Sequence, residues 1–184
     1  MKPIERSEIL DYMTYTEKRE EIRPDVLAAK DRRRVHLGDD LTFLFENRDT
    51  MCYQIQEMMR IEKLVREEDI QHEIDTYNEI LGGDGELGCT LLIEIDDKGE
   101  RDVKLRQWVK LPEHLYAKLK DGSKAYAKFD PRQLGQDRLS SVQYLKFDTQ
   151  GKVPVALGSD HPDLTLESEL SGDVQTALAE DLKS

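Results

Sequence analysis

Carboxylates and imidazoles at helical spacing are the residues in this chain whose types could do chemistry. In the run Glu67-Glu68-Asp69-Ile70-Gln71-His72-Glu73-Ile74-Asp75, a helix places Glu68, His72 and Asp75 on one face, because residues three and four apart are neighbours there. Asp69 and His72 have the carboxylate-x-x-histidine spacing that helical di-iron sites repeat on two helices, with two further helices each giving a glutamate. One good copy is present, and Glu57 and Glu62 on the preceding helix are the carboxylates an antiparallel pair would add. The turn Gly158-Ser159-Asp160-His161-Pro162 sets an acid beside an imidazole, which can orient or charge the ring. Glu57, His72 and His161 are therefore the candidate metal ligands. The plainer alternative is a solvated helix face and a solvated turn. The four histidines include no HExxH and no pair at i, i+4.

A second set lies where an apolar strand gives way to a helix, within residues 41–64. Tyr53, Glu57 and Arg60 stand at i, i+4 and i+7 and share a helix face. Glu46 and Arg48 sit at the junction Phe45-Glu46-Asn47-Arg48-Asp49-Thr50, where backbone amides at a helix start can receive an anion. If this face is buried rather than solvated, Glu46, Arg48, Tyr53, Glu57 and Arg60 form a binding set for a ligand or a partner. Catalysis has no comparable signal. No GxSxG occurs, and Gly82-Gly83-Asp84-Gly85 lacks the spacing of a phosphate loop. Cys52 and Cys89 form no CxxC and lie in apolar patterns, as buried small hydrophobes do. No reaction, catalytic residue or cofactor is indicated.

The elements that must position these residues are read from periodicity. Ser7 is placed to cap a short helix with Ile9, Leu10 and Met13 inward. Thr16 opens another, which Pro24 breaks or restarts. Arg32-Arg33-Arg34 close that segment as cations in a last turn, which accounts for the arginine run without nucleic acid. Residues 35–37 and 41–45 read as a hairpin about Gly38-Asp39-Asp40. Asn47 or Asp49 caps a helix from about residue 48 to 65, and a second spans 67–81 and stops at Gly82-Gly83. Residues 89–95 are a strand and 99–109 a helix. Residues 115–119 and 125–129 form a hairpin about Asp121-Gly122, and 142–147 are a strand with 153–157 as its partner.

Helices crowd the first half and strands the second. The expected class is α+β, a helix-rich N-terminal half packed on a mainly antiparallel sheet or partly open barrel from the C-terminal half. The hydrophobic fraction of 38% is low and the charged fraction of 36% high for a compact domain. A well-solvated surface with an unpacked segment reconciles the two. Residues 160–184 hold seven acids, one lysine and no aromatic residue, so they are expected as an acidic, mobile tail to a single domain of residues 1–159. The net charge of −12 repels phosphate backbones and anionic bilayers, so neither nucleic acid nor membrane is an expected partner. No window nears the roughly 18 apolar residues of a span, and MKPIERSEIL has no signal-peptide core. With two free thiols, the expected location is the cytoplasm.

The text LTFLFENRDTMCYQIQEMMRIEK, together with QHEIDTYN, TLLIEI, SSVQYLKFD and GSDHP, resembles a bacterial family, domain of unknown function 3501, along most of the chain. Members are often encoded beside rubrerythrin-like proteins and iron–sulfur oxidoreductases. The resemblance implies an accessory protein that binds such a redox partner in oxidative-stress or iron–sulfur metabolism, and it assigns no residue a role. The alternatives are a metal- or small-molecule-binding protein and a subunit that acts by forming a homo-oligomer.

Overall fold

The apolar run Leu41–Glu46 pairs antiparallel with Glu86–Ile93, and the chain is built around that pair in the computed structural model, which describes residues 1–184. The strands are β1 (Arg34–Leu37), β2 (Leu41–Glu46), β3 (Glu86–Ile93), β4 (Leu115–Leu119), β5 (Lys124–Lys128), β6 (Val142–Asp148), β7 (Pro154–His161) and β8 (Leu164–Glu169). They form one antiparallel sheet of eight strands in the order β1-β2-β3-β6-β5-β4-β7-β8. The sheet curls until its outer strands approach, nearly closing a barrel. A Cβ on Gly38 would lie 3.0 Å from Leu166 of β8. Alternation along each strand turns Phe43, Phe45, Leu91 and Phe147 into the barrel, where they are almost wholly buried. The α+β class and the barrel match the expectation. β1, β2 and β3, however, come from the helix-rich half, so the sheet draws on both halves.

Six helices complete the chain: α1 (Tyr12–Asp31), α2 (Arg48–Glu62), α3 (Glu67–Asn78), α4 (Lys98–Gln107), the single turn α5 (Leu111–His114) and α6 (Gly172–Asp181). Leu105 and Trp108, at the end of α4, enter the barrel core. Lys104 ties α4 to Asp40 at 2.8 Å. Helices α2 and α3 pack on each other outside the barrel, and their Met51, Ile55, Met59, Ile70 and Ile74 form a second apolar cluster with Ile4 and Ile9. Asn47 caps α2 by accepting from the Thr50 amide at 3.0 Å, and Lys63 ends it in the left-handed region with φ 55°. None of these helices is long and apolar enough to cross a membrane.

Four expectations change. First, α1 is one helix that runs through Pro24, and its cap is Asp11, which accepts from the amides of Met13 and Thr14 at 3.0 Å. Proline removes one hydrogen bond, and packing of Tyr15 and Val26 outweighs that loss. Second, Ser7 sits in a 3-10 turn, Arg6–Glu8, rather than capping a helix. Third, β7 pairs with β4 and β8 and not with β6. Fourth, the residues expected as a mobile acidic tail are the end of β7, β8 and α6. The acids Glu167 and Glu169 point to solvent from β8 while Leu164 and Leu166 pack on the barrel core. Val174, Ala177 and Leu178 of α6 are buried. Low hydrophobic content concealed two correctly spaced apolar faces.

Candidate functional site

Four of the five residues expected as a binding set are engaged within the fold. Glu46, 5% exposed, accepts from Thr50 Oγ1 at 2.6 Å and Thr90 Oγ1 at 2.8 Å, which ties α2 to β3. Arg48 donates to the carbonyls of Lys2 and Pro3 and pairs with Glu8, holding the N-terminal segment. Glu57 faces α1, where it accepts from Tyr15 Oη at 2.7 Å and from Arg19 Nε and Nη2 at 2.7 and 3.0 Å. Arg60 adds weaker contacts at 3.4 Å. Tyr53 is buried on the same face with Lys30 Nζ 5.4 Å from its ring centre. It alone of the five lines a groove, a space of about 530 Å³ between α1 and α2 that also reaches Cys52 and Gln56. Burial pushes the Cys52 thiol up to about 11, the direction that disfavours the thiolate.

The Arg19 guanidinium, with Tyr15 and Arg60, holds the Glu57 carboxyl down at about 2 against the opposing effect of burial. A carboxyl depressed in the folded state stabilises the fold above its unfolded value and loses that contribution as protons return. Stability on the order of 2 kcal/mol is therefore expected to disappear as the pH falls from about 4.5 towards 2. In Glu57→Gln, urea unfolding followed across that window should show a shallower acid loss than in the parent. An unchanged slope would refute the assignment.

The three candidate metal ligands do not converge. Glu57 is consumed by α1, His72 stands exposed on α3, and His161 is buried at the end of β7. No group of three or more histidine, cysteine or acidic side chains is placed to hold a metal ion. The residues from Gly158 to His161 are not a turn but strand, so Asp160 and His161 point to opposite faces. His161 turns inward and its Nδ1 accepts from the Asp163 amide at 3.2 Å. Burial, helped by His114, lowers its pKa. Asp160 turns outward, accepting from Tyr126 Oη at 2.6 Å and standing 3.0 Å from His114 Nδ1. The Tyr126 hydroxyl, with His114 and Lys124, holds the Asp160 carboxyl below its ordinary value. This arrangement orients His114 as a carboxylate orients a base, and sequence spacing could not have paired residues 114, 126 and 160. It lines neither the α1–α2 groove nor the larger cleft described next.

That cleft opens where the barrel wall is incomplete. β5 and β6 pair only at Ala127 with Phe147 and Lys128 with Lys146. Beyond that point the edge of β6 is left without a strand. Gln133 fills in: its Oε1 accepts from the Tyr144 amide at 2.8 Å and its Nε2 donates to the Tyr144 carbonyl at 3.2 Å. The segment from Phe129 to Gln133 thereby stands off from the sheet, opposite α2 and α3. Between them is a cleft of about 580 Å³ lined by Met58, Tyr77, Ile80, Phe129 and Tyr144, with Glu73, Lys128, Gln133 and Lys146 among its polar groups. Burial raises the phenols of Tyr77 and Tyr144. Burial beside Glu62 raises the carboxyl of Glu73. Tyr77 belongs to an apolar helix stripe and 142–147 to a strand pattern, and nothing in their spacing signals that the two face each other.

Residues 3–182 match a family described as Protein of unknown function (DUF3501). A crystal structure of a novel protein of unknown function from Burkholderia pseudomallei K96243 is similar throughout, with 30% sequence identity and a TM-score of 0.89, covering 98% of this chain and 100% of that one. No curated protein matches the chain.

Proposed function

The chain belongs to this family of unknown function, DUF3501, and from that premise we propose that it is a small-molecule-binding protein whose ligand occupies the cleft at the β5–β6 seam. One observation carries this reading: a space of about 580 Å³ with three aromatic rings and an isoleucine on its walls, where β5 and β6 pair at only two positions and the rest of the β6 edge is left without a strand. Ligand sites in proteins are concavities of roughly 300–1,000 Å³ with largely apolar walls and a few placed polar groups. The redox-partner reading that the resemblance implies has only the acidic balance of the chain behind it, which selects no rubrerythrin-like or iron–sulfur protein. The cleft is the more specific support.

The apolar dye N-phenyl-1-naphthylamine tests the site. Its fluorescence should rise saturably on the folded protein. In Thr76→Trp, which projects a large ring into the cleft from an exposed helix position, the dye should bind about tenfold more weakly, a loss of about 1.4 kcal/mol, with an unchanged unfolding midpoint. Equal binding by both proteins would place the dye elsewhere and remove the cleft from consideration.

A further inference from the structure

The charged groups around the cleft divide into those with ionic partners and those without. Lys128 is held between Glu86 at 2.9 Å and Asp148 at 3.0 Å, and Asp130 is paired with Arg132. Lys146, on the sheet wall, and Glu73, on the helix wall, make no salt bridge and are both half-buried. Glu79 is also unpaired but stands exposed in water. An ionised group partly withdrawn from water is stabilised when an opposite charge meets it and is costly when none does. Two such groups of opposite sign share this cleft, and no salt bridge joins them. Met58, Tyr77, Phe129 and Tyr144 supply the apolar surface beside them.

Resting on the cleft as the ligand site, we propose that its ligand is a small amphoteric molecule, an apolar ring or short chain bearing one carboxylate and one ammonium, with the carboxylate set against Lys146 and the ammonium against Glu73. A simple anion answers Lys146 and leaves Glu73 without a partner; a simple cation does the reverse. A ligand with both charges answers both and has no net charge, so it escapes the repulsion that a chain of net charge −12 exerts on free anions. Burial and the neighbouring Glu62 hold the Glu73 carboxyl above its ordinary value, against a smaller opposing effect of His72, which fits a half-buried acid without an ion-pair partner.

Titration calorimetry on the full chain with four probes of similar size tests the assignment. 4-(Aminomethyl)benzoate carries the charges at opposite ends and L-phenylalanine carries them together; 4-methylbenzoate and 4-methylbenzylamine carry one each. At least one zwitterion should bind about tenfold more tightly than either singly charged probe. Lys146→Met should remove its advantage over the amine, and Glu73→Gln its advantage over the carboxylate. Equal affinities for zwitterion and single ions, or a zwitterion preference that survives both substitutions, would overturn the proposal. So would binding of none of the four. In each case N-phenyl-1-naphthylamine separates the outcomes: if the dye still binds and Thr76→Trp still weakens it, the charge assignment falls and the cleft stands, and if the dye also fails, both fall.

Discussion

Asp181→Ala is expected to cost about 3–5 kcal/mol of folding stability, because it strands the charge of Arg33 in the interior. Arg33 and Asp181 are each 5% exposed at the side chain, and Arg33 Nε and Nη2 both donate to the carboxylate at 2.8 Å. The remaining nitrogen, Nη1, donates to the Ala29 carbonyl at 3.0 Å, and Asn47 Nδ2 approaches the same carboxylate at 3.4 Å. The pair thus connects the end of α1, the start of α2 and the last turn of α6. Whole domains of this size are stable by only about 5–15 kcal/mol, so the single substitution removes a large share. The effect belongs to the unpaired charge more than to the bond, since apolar replacement of both partners is often neutral. The double variant Arg33→Met with Asp181→Leu should therefore recover most of the loss. Urea unfolding of the three proteins decides it: a single-variant loss under about 1 kcal/mol, or a double variant no better than the single, would contradict the account.

The second large effect is expected from one methyl group. A Cβ on Gly88 would sit 2.1 Å from the Ile80 carbonyl oxygen and 2.9 Å from the Gly82 nitrogen. Those atoms are backbone, so no rotamer change relieves the clash. β3 and the turn after α3 must separate, and Ile80, with Tyr77 three residues before it, lines the cleft. Gly88→Ala should cost about 3 kcal/mol, at the upper end of overpacking effects, and should also weaken dye binding severely. Gly172→Ala is the control, because nothing lies within 4 Å of its added methyl, and alanine suits a helix better than glycine does. Thermal unfolding and dye titration of both variants provide the check; a Gly88→Ala protein with parent-like stability and binding would show that the close approach is not needed.

Much of the local structure was legible from single residues and their spacing. The hairpin about Asp121-Gly122, the cap at Asn47 and the stripe of Ile70, Ile74 and Tyr77 each depend on contacts within a few residues, and each is present. The site was not legible in the same way. Tyr53, Glu57 and Arg60 do share a face, but α1 covers it, and Arg19 and Tyr15 come from about forty residues earlier in the chain. Asp160 and His161 are adjacent in the sequence and opposed in the strand, so the imidazole that Asp160 meets is His114. The acids of the last 25 residues give the composition of a loose segment, although Leu164, Leu166, Val174 and Leu178 carry strand and helix periods among them.

The sequence by itself determined the class of the protein, the positions of most elements and the acidic surface, because periodicity, capping and charge act between near neighbours or as simple sums. Only the tertiary structure decided the strand order, the short pairing between β5 and β6, and which charges were left without partners beside the cleft. Those depend on register and approach between segments far apart in the chain, where a single strand slip or a missing Cβ at Gly88 changes which side chains meet.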